Sequence, residues 1–291
     1  MNLDWIETYQ ACRTTGIFFP ATPVERLVVT GADRASFLHN LCTNDIIRLG
    51  PVENCEAFFT SVKGHVLAHA VVSCQPDAIT VDVLGSDAEA LRAHLDRYLI
   101  REDVTLTIES KAIGLVVGNQ IDSLAPILPS LTIPTALVAF DDSVKARMRK
   151  ESYQSGSDEL WNALRIEAGL ALAGIDYGEG TLPQELSRDA QAISFTKGCY
   201  LGQETVARID ALGHVNKRIV GVKCGGDRVP VIDTPLFADE KQVGQITSAT
   251  WSPMLDAPLG LAMVRRGSDE PGTELISVTG KAVVTGLPVT D

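Results

Sequence analysis

The spacing of apolar positions changes character along the chain. Residues 24–30 (VERLVVT) form a β-rich run ending at Gly31, and Asp33 is placed to cap a short helix carrying Phe37, Leu38 and Leu41. Segments 55–61 and 65–73 read as strands separated by a tight turn at Lys63-Gly64, which predicts a hairpin. Residues 79–84 form another strand. Ser86 and Glu89 make a capping box for a helix with Leu91, Leu95, Tyr98 and Leu99 on one side. Residues 103–109 (DVTLTIE) alternate as a half-buried strand does. Strands and helices in this mixed order predict an α+β region and not a doubly wound sheet.

Over 110–150 the pattern weakens to short strands and loops punctuated by Pro126, Pro129 and Pro134. A helix follows, capped by Ser157 or Asp158, in which Leu160, Trp161, Leu164 and Ala168 recur at helical spacing up to Gly169. Another is expected over 202–211, stopped by Gly213. From about Asn216 onward, β-runs at 219–224, 242–249, 259–265, 274–279 and 282–287 alternate with Gly and Pro turns, the pattern of a small all-β barrel. The expected division is an N-terminal region, 1–215, and a C-terminal β-barrel, 216–291.

Composition removes several function classes. A chain of 291 residues with 45% hydrophobic and 21% charged positions suits a soluble globular protein of two or three domains. No apolar run reaches the roughly eighteen residues of a membrane helix. The first ten residues carry two acids and no basic stretch, so a secretory leader is not expected. A net charge of −12 argues against broad nucleic-acid binding, which depends on phosphate neutralisation. The six cysteines are scattered, with no CxxC and no Cys/His cluster at zinc spacing. They read as reduced thiols of a cytoplasmic protein, and no complete metal or iron–sulfur site is expected from this chain alone. No GxGxxG or Walker motif supports a nucleotide-phosphate loop.

The densest chemistry lies in Lys197-Gly198-Cys199-Tyr200-Leu201-Gly202-Gln203, followed by Glu204. Cys199 stands between a lysine and an aromatic ring, just ahead of the helix expected from Gly202. A helix dipole and a neighbouring cation both favour the thiolate, the reactive form. The two glycines permit positive φ or close backbone approach. A buried structural thiol remains the commoner use of a free cysteine. Arg208, His214, Lys217 and Arg218 add a local basic cluster to an acidic chain.

Several segments together resemble the YgfZ-type folate-binding proteins, relatives of the aminomethyltransferase (T-protein) of the glycine cleavage system. Lys197-Gly198-Cys199-Tyr200-x-Gly202-Gln203-Glu204 is similar to that family's signature. Arg165-Ile166-Glu167-Ala168-Gly169, Gly174-Ile175-Asp176 and Pro183-Gln184-Glu185 resemble the R-x-E-x-G, G-x-D and P-x-E elements of the superfamily. Tyr98-Leu99-Ile100-Arg101-x-Asp103-Val104 is similar to a stretch of the YgfZ branch. Residues 243–248, Ser252-Pro253 and 259–262 look like the superfamily's C-terminal barrel.

The resemblance implies a three-part, ring-like architecture: two interlaced N-terminal α+β subdomains and a C-terminal β-barrel around a hole that binds a folate, tetrahydrofolate or a derivative. It implies Glu185 as the pterin-binding carboxylate, which could accept two hydrogen bonds from an amino-pyrimidine edge. Cys199 becomes the reactive residue, biased toward the thiolate by Lys197, with Tyr200, Gln203, Glu204 and Arg208 around the folate pocket. Aminomethyltransferases carry an aspartate pair on the strand after a glycine turn; here that strand reads Gly64-His65-Val66-Leu67-Ala68-His69, so Ala68-His69 replaces the pair. The expected function is a folate-binding accessory protein that supports iron–sulfur cluster assembly or repair, and tRNA modification indirectly, with iron–sulfur client or assembly proteins as partners. The alternative is a folate-dependent aminomethyl- or methyltransferase using His69 or another base, and a third reading is an interaction protein without a ligand.

Overall fold

The computed structural model describes residues 5–290 apart from 13, 15, 86, 119–130, 132 and 279. Helix α1 (Trp5–Ala11) and strand β1 (Ile17–Phe19) come first. The chain then builds β2 (Val24–Thr30), α2 (Arg34–His39), β3 (Asn54–Thr60), β4 (Val66–Cys74), β5 (Ile79–Leu84), α3 (Ala88–Asp96) and β6 (Thr105–Ile108). Next come β7 (Ile113–Val117), β8 (Thr135–Ala139), α4 (Asp142–Lys150), β9 (Gln154–Ser155) and α5 (Asp158–Glu167). A 3-10 turn at Pro183–Leu186, α6 (Asp189–Ala192) and α7 (Gln203–Leu212) lead to β10 (Lys217–Cys224), β11 (Pro235–Ala238), β12 (Lys241–Ser252), β13 (Ala257–Arg265), β14 (Glu274–Ser277) and β15 (Gly280–Thr285).

These strands make a five-stranded sheet, β3-β4-β5-β2-β6, a four-stranded sheet, β8-β7-β1-β9, and a closed barrel, β10-β13-β12-β11-β14-β15. Strand β1 precedes the five-stranded sheet while its partners follow it, so the two N-terminal subdomains are interlaced. The fold is the three-part α+β architecture expected from the sequence. Among the described residues, no helix is long and apolar enough to cross a membrane.

Local chemistry explains the departures from expectation. Asp33 holds the N-cap position of α2 but caps nothing with its side chain; Oδ2 accepts from the Asp103 backbone N–H at 2.8 Å, tying the turn after β2 to the entry of β6. Helix α3 is capped by Asp87, which accepts from the Glu89 and Ala90 N–H groups, and Ser86 of the expected capping box lies outside the described residues. Pro126 and Pro129 also lie outside them. Helix α4 falls in a stretch read as strands and loops. Its polar sequence hides a weak apolar stripe (Val144, Met148), and Asp141 caps it through the Ser143 and Val144 N–H groups. Short β11 escaped notice because four residues after a proline-rich turn carry little periodicity.

Helix α5 fastens the three parts together. Leu160, Trp161 and Leu164 bury one side in the core of the four-stranded sheet. Arg165 and Glu167, both almost fully buried, turn to barrel strand β12. Arg165 donates to Asp176 Oδ2 at 3.0 Å and to Ser248 Oγ at 2.8 Å. Asp176 Oδ1 accepts from Thr247 at 2.7 Å and from Ser248 at 2.6 Å. Glu167 accepts from Ser252 at 2.5 Å and from the Tyr9 hydroxyl at 2.7 Å. Gly169 ends the helix at φ +73°, where a Cβ would stand 2.9 Å from Leu287 Cβ. The R-x-E-x-G and G-x-D elements therefore join the N-terminal region to the barrel. Charges buried this deeply are tolerated only when paired and hydrogen-bonded.

Removing one partner leaves the other unpaired in the dry interface. Asp176→Ala is expected to cost about 3–5 kcal/mol in urea unfolding. Glu274→Gln, which breaks an exposed barrel pair with Lys281, should leave the midpoint almost unmoved. Equal effects would contradict the interface role.

Candidate functional site

The 3-10 turn Pro183–Leu186 lies where the N-terminal region meets the barrel. Proline sets φ at its start, and Ser187 leaves it in the left-handed region at φ 56°. Just before it, the Thr181 carbonyl accepts from the Val66 N–H at 2.8 Å, which docks the segment on the start of β4. Glu185 is 6% exposed. Its Oε2 accepts from the Leu182 N–H at 3.1 Å, and its other oxygen has no hydrogen bond among the described residues. Burial pushes the Glu185 carboxyl up, against opposing pulls from the Leu182 N–H, Lys217 and His65. The carboxylate thus lies in the field of one cation from β10 and of His65 in the β3–β4 hairpin. Thr181 and Lys217 border an open cavity of about 700 Å³, lined also by the 174–179 loop and by barrel residues including Gln245, Met263 and Arg265.

The hairpin strands carry a buried ionic triad. Glu56 on β3 takes Arg188 Nε on Oε2 and Nη2 on Oε1, both at 2.6 Å, and His69 Nε2 on β4 lies 3.0 Å from Oε2. All three side chains are nearly solvent-free. Burial raises the Glu56 carboxyl, but hydrogen bonds and charge from His69 and Arg188 overcome it and hold the group well below the usual carboxylate range. The His69 ring also packs on Phe58 at 4.8 Å between centroids. Ala68 points the other way, fully buried in the core of the five-stranded sheet. Neither 68 nor 69 therefore presents a free base.

The cysteine segment is a loop laid on the hairpin ahead of α7. Lys197 is buried, and its ammonium donates to the His39, Cys42 and Asn44 carbonyls at 2.5, 2.8 and 2.8 Å. It also sits 5.0 Å from the Tyr200 ring centroid, a cation–π contact. Burial lowers the Lys197 pKa, and the groups that pull it back are Cys42, Asp45 and Cys55. The ammonium thus serves the loop after α2, and Cys199 stands exposed on the surface. Tyr200 packs in the core shared by both regions, with Phe58, Val66, Leu186 and the barrel's Leu259. Gly202 caps α7 at φ +83°, where a Cβ would meet Ser61 O at 2.6 Å, and Gly64 faces it across the hairpin turn. That glycine permits the close approach expected from the sequence.

The structure brings Glu185 and α7 together through the Gln184 amide, which donates to the Val206 carbonyl at 2.8 Å. It does not bring the expected residues to one cavity: Gln203 is half-buried, Glu204 and Arg208 are exposed, and neither they nor Glu185 and Tyr200 border the cavity beside Lys217. Sequence reasoning missed Glu56 and Arg188, placed Lys217 only in a local basic cluster and gave His65 no role. A charged residue inside the apolar run 55–59 was the available signal for Glu56. Among the described residues, no group of three His, Cys, Asp or Glu side chains could hold a metal ion.

Residues 217–291 match the model of the glycine cleavage T-protein C-terminal barrel domain. An uncharacterized protein of Haemophilus influenzae is 30% identical, the match covering 85% of this chain and 88% of the relative. A probable aminomethyltransferase of Natronomonas pharaonis is 26% identical over 99% of this chain and 91% of its own. In structure, the glycine cleavage system aminomethyltransferase T of Bartonella henselae superposes with a TM-score of 0.86 at 16% identity, covering 99% of this chain and 90% of that one.

The depressed Glu56 value has a definite acid signature. Its stabilisation is fully present above 4.5, the ordinary Glu value, and is lost as pH falls toward the folded value. Glu56→Gln should cost about 3–5 kcal/mol at neutral pH. It should also flatten the loss of stability below pH 4.5 in thermal melts. A slope equal to that of the parent protein would show that the triad does not titrate as described.

Proposed function

The chain belongs to the glycine cleavage T-protein superfamily, and on that footing we propose that it is a YgfZ-type tetrahydrofolate-binding accessory protein with a reactive surface cysteine. One observation carries the folate reading: Glu185 keeps an unshared carboxylate oxygen in a nearly dry niche at the junction of the N-terminal region and the barrel. Such an oxygen suits the adjacent N–H donors of a pterin's amino-pyrimidine edge, and desolvation strengthens the bond. Lys217 and His65 both bear electrostatically on that carboxyl. When bound, a reduced folate brings that donor edge and a one-carbon carrier. The protein's own residues bind and orient it.

The strand position that carries an aspartate pair in aminomethyltransferases supports accessory work over transfer. Ala68 is inside the core, and His69 is committed to Glu56 beside Arg188, so no group there is free to move a proton at the folate nitrogen. Cys199 is exposed and available to a partner protein. A lone thiol cannot hold an iron–sulfur cluster, so the remaining ligands come from the client or assembly partner. Lys217 and Glu185 serve the ligand, and Lys197 builds the loop that presents Cys199. The transferase reading, which the names of several relatives favour, requires a base that this strand does not offer.

Calorimetric titration with tetrahydrofolate separates these roles. The parent protein should bind one equivalent, Glu185→Gln should bind at least about tenfold more weakly, and Cys199→Ala should bind normally. In cells, Cys199→Ala should lose the activity of an iron–sulfur client enzyme. Unaltered folate affinity in Glu185→Gln would remove the binding assignment, and full client activity with Cys199→Ala would remove the cysteine role.

A further inference from the structure

A second cavity, of about 630 Å³, lies between the Pro183–Leu186 turn, the C-terminal end of α7 and the barrel loop 266–270. Its chemistry points to a ligand. Gln184 borders it and is 7% exposed; its amide nitrogen holds the Val206 carbonyl, but its oxygen is buried with no hydrogen-bond partner. Asp189 borders it too, and its Oδ1 is likewise buried and unpartnered. Two buried acceptors without donors are a costly arrangement that a ligand's N–H groups would repair.

The charges agree with that sense. On the barrel side, Arg218 lies 2.6 Å from both Asp269 and Glu270; its Nη2 donates to Glu270, and its Nε, though close to Asp269, is buried without a hydrogen bond. Asp189 and Asp210 form no ion pair among the described residues. Burial and the Asp210 carboxylate push the Asp189 carboxyl up to about 6, against the pull of Arg218. The negative end of the α7 dipole, at its Gly213 cap, opens on the same space. Arg266 and His214 also border it, and they leave the two unpaired acids as the excess charge.

We propose that this cavity binds a small organic cation bearing primary ammonium groups. An ammonium is a compact charge with three donors and no acceptor, so it can serve Gln184 Oε1 and the Asp189 carboxylate together. A second ammonium on the same molecule would meet Asp210 on the exposed face of α7. The cavity volume falls within the range of small-molecule sites. This inference uses neither Cys199 nor folate, so its failure would leave the reading of Glu185 untouched.

Calorimetric titration with putrescine at neutral pH and low salt is the test, with tetramethylammonium as a cation of equal sign that has no N–H donor. One saturable putrescine site is expected, weakened about tenfold or more in Asp189→Asn and in Asp210→Asn. Asp210 is exposed, so its variant keeps the test valid even where Asp189→Asn folds poorly. Tetramethylammonium should bind far more weakly. Heats that never saturate, equal binding of the two cations, or an affinity unchanged in both variants would each overturn the proposal.

Discussion

A paired charge buried between the N-terminal region and the barrel is the constraint on which everything else rests. Arg165 and Asp176 lie almost wholly out of water, and each satisfies the other only while Thr247 and Ser248 of β12 are in place. An apolar contact tolerates sliding. A desolvated guanidinium held by the Asp176 carboxylate and the Ser248 hydroxyl, with Thr247 donating to that carboxylate, does not, because every displacement leaves a buried charge or donor unmatched. The same device recurs at the other junctions. Arg26 pairs with Asp82 within the five-stranded sheet and reaches the Leu137 carbonyl of the four-stranded one. Arg188 closes on Glu56 and links the segment after the 3-10 turn to β3.

Because these joints fix the parts, they also fix what stands between them. Glu185 is carried by a four-residue turn that has no rigidity of its own. Its position depends on Thr181 against β4, Gln184 against α7 and Ser187 against the Ile219 carbonyl of β10. A single carboxylate can therefore be desolvated and still presented to a ligand. The acid of the hairpin that supports it serves structure: the ionised group at the sheet face is Glu56, and Arg188 and His69 consume it. In the proposed function, binding and chemistry are separated, with the Glu185 carboxylate inside the junction and the Cys199 thiol outside on the surface.

Much of the frame was legible because local patterns governed it. Strands 24–30 and 79–84 are β-rich runs, Ser157 caps α5, and Gly213 stops α7 at φ 71°. Glu185 and Gly202 were reached by motif, and the close approach of Ser61 and Gly64 gives Gly202 a physical reason. What stayed hidden was long-range. Glu56 and Arg188 are 132 positions apart, and Arg165 and Ser248 are 83 apart, so no local window joins them. Lys197 shows the limit from the other direction: beside Cys199 in sequence it suggested a thiol activator, yet its length lets it reach carbonyls more than 150 positions away. Adjacency along the chain was a poor guide to where a four-carbon side chain ends.

The central claim is that the junction niche, and not the surface around Cys199, receives the folate. A crystal structure of the protein with tetrahydrofolate tests it most directly. The account predicts the pterin between the hairpin and the barrel, with its amino-pyrimidine N–H groups within hydrogen-bond distance of the Glu185 carboxylate and Lys217 beside it. A pterin seated elsewhere, or one that leaves the Glu185 carboxylate untouched, would contradict it.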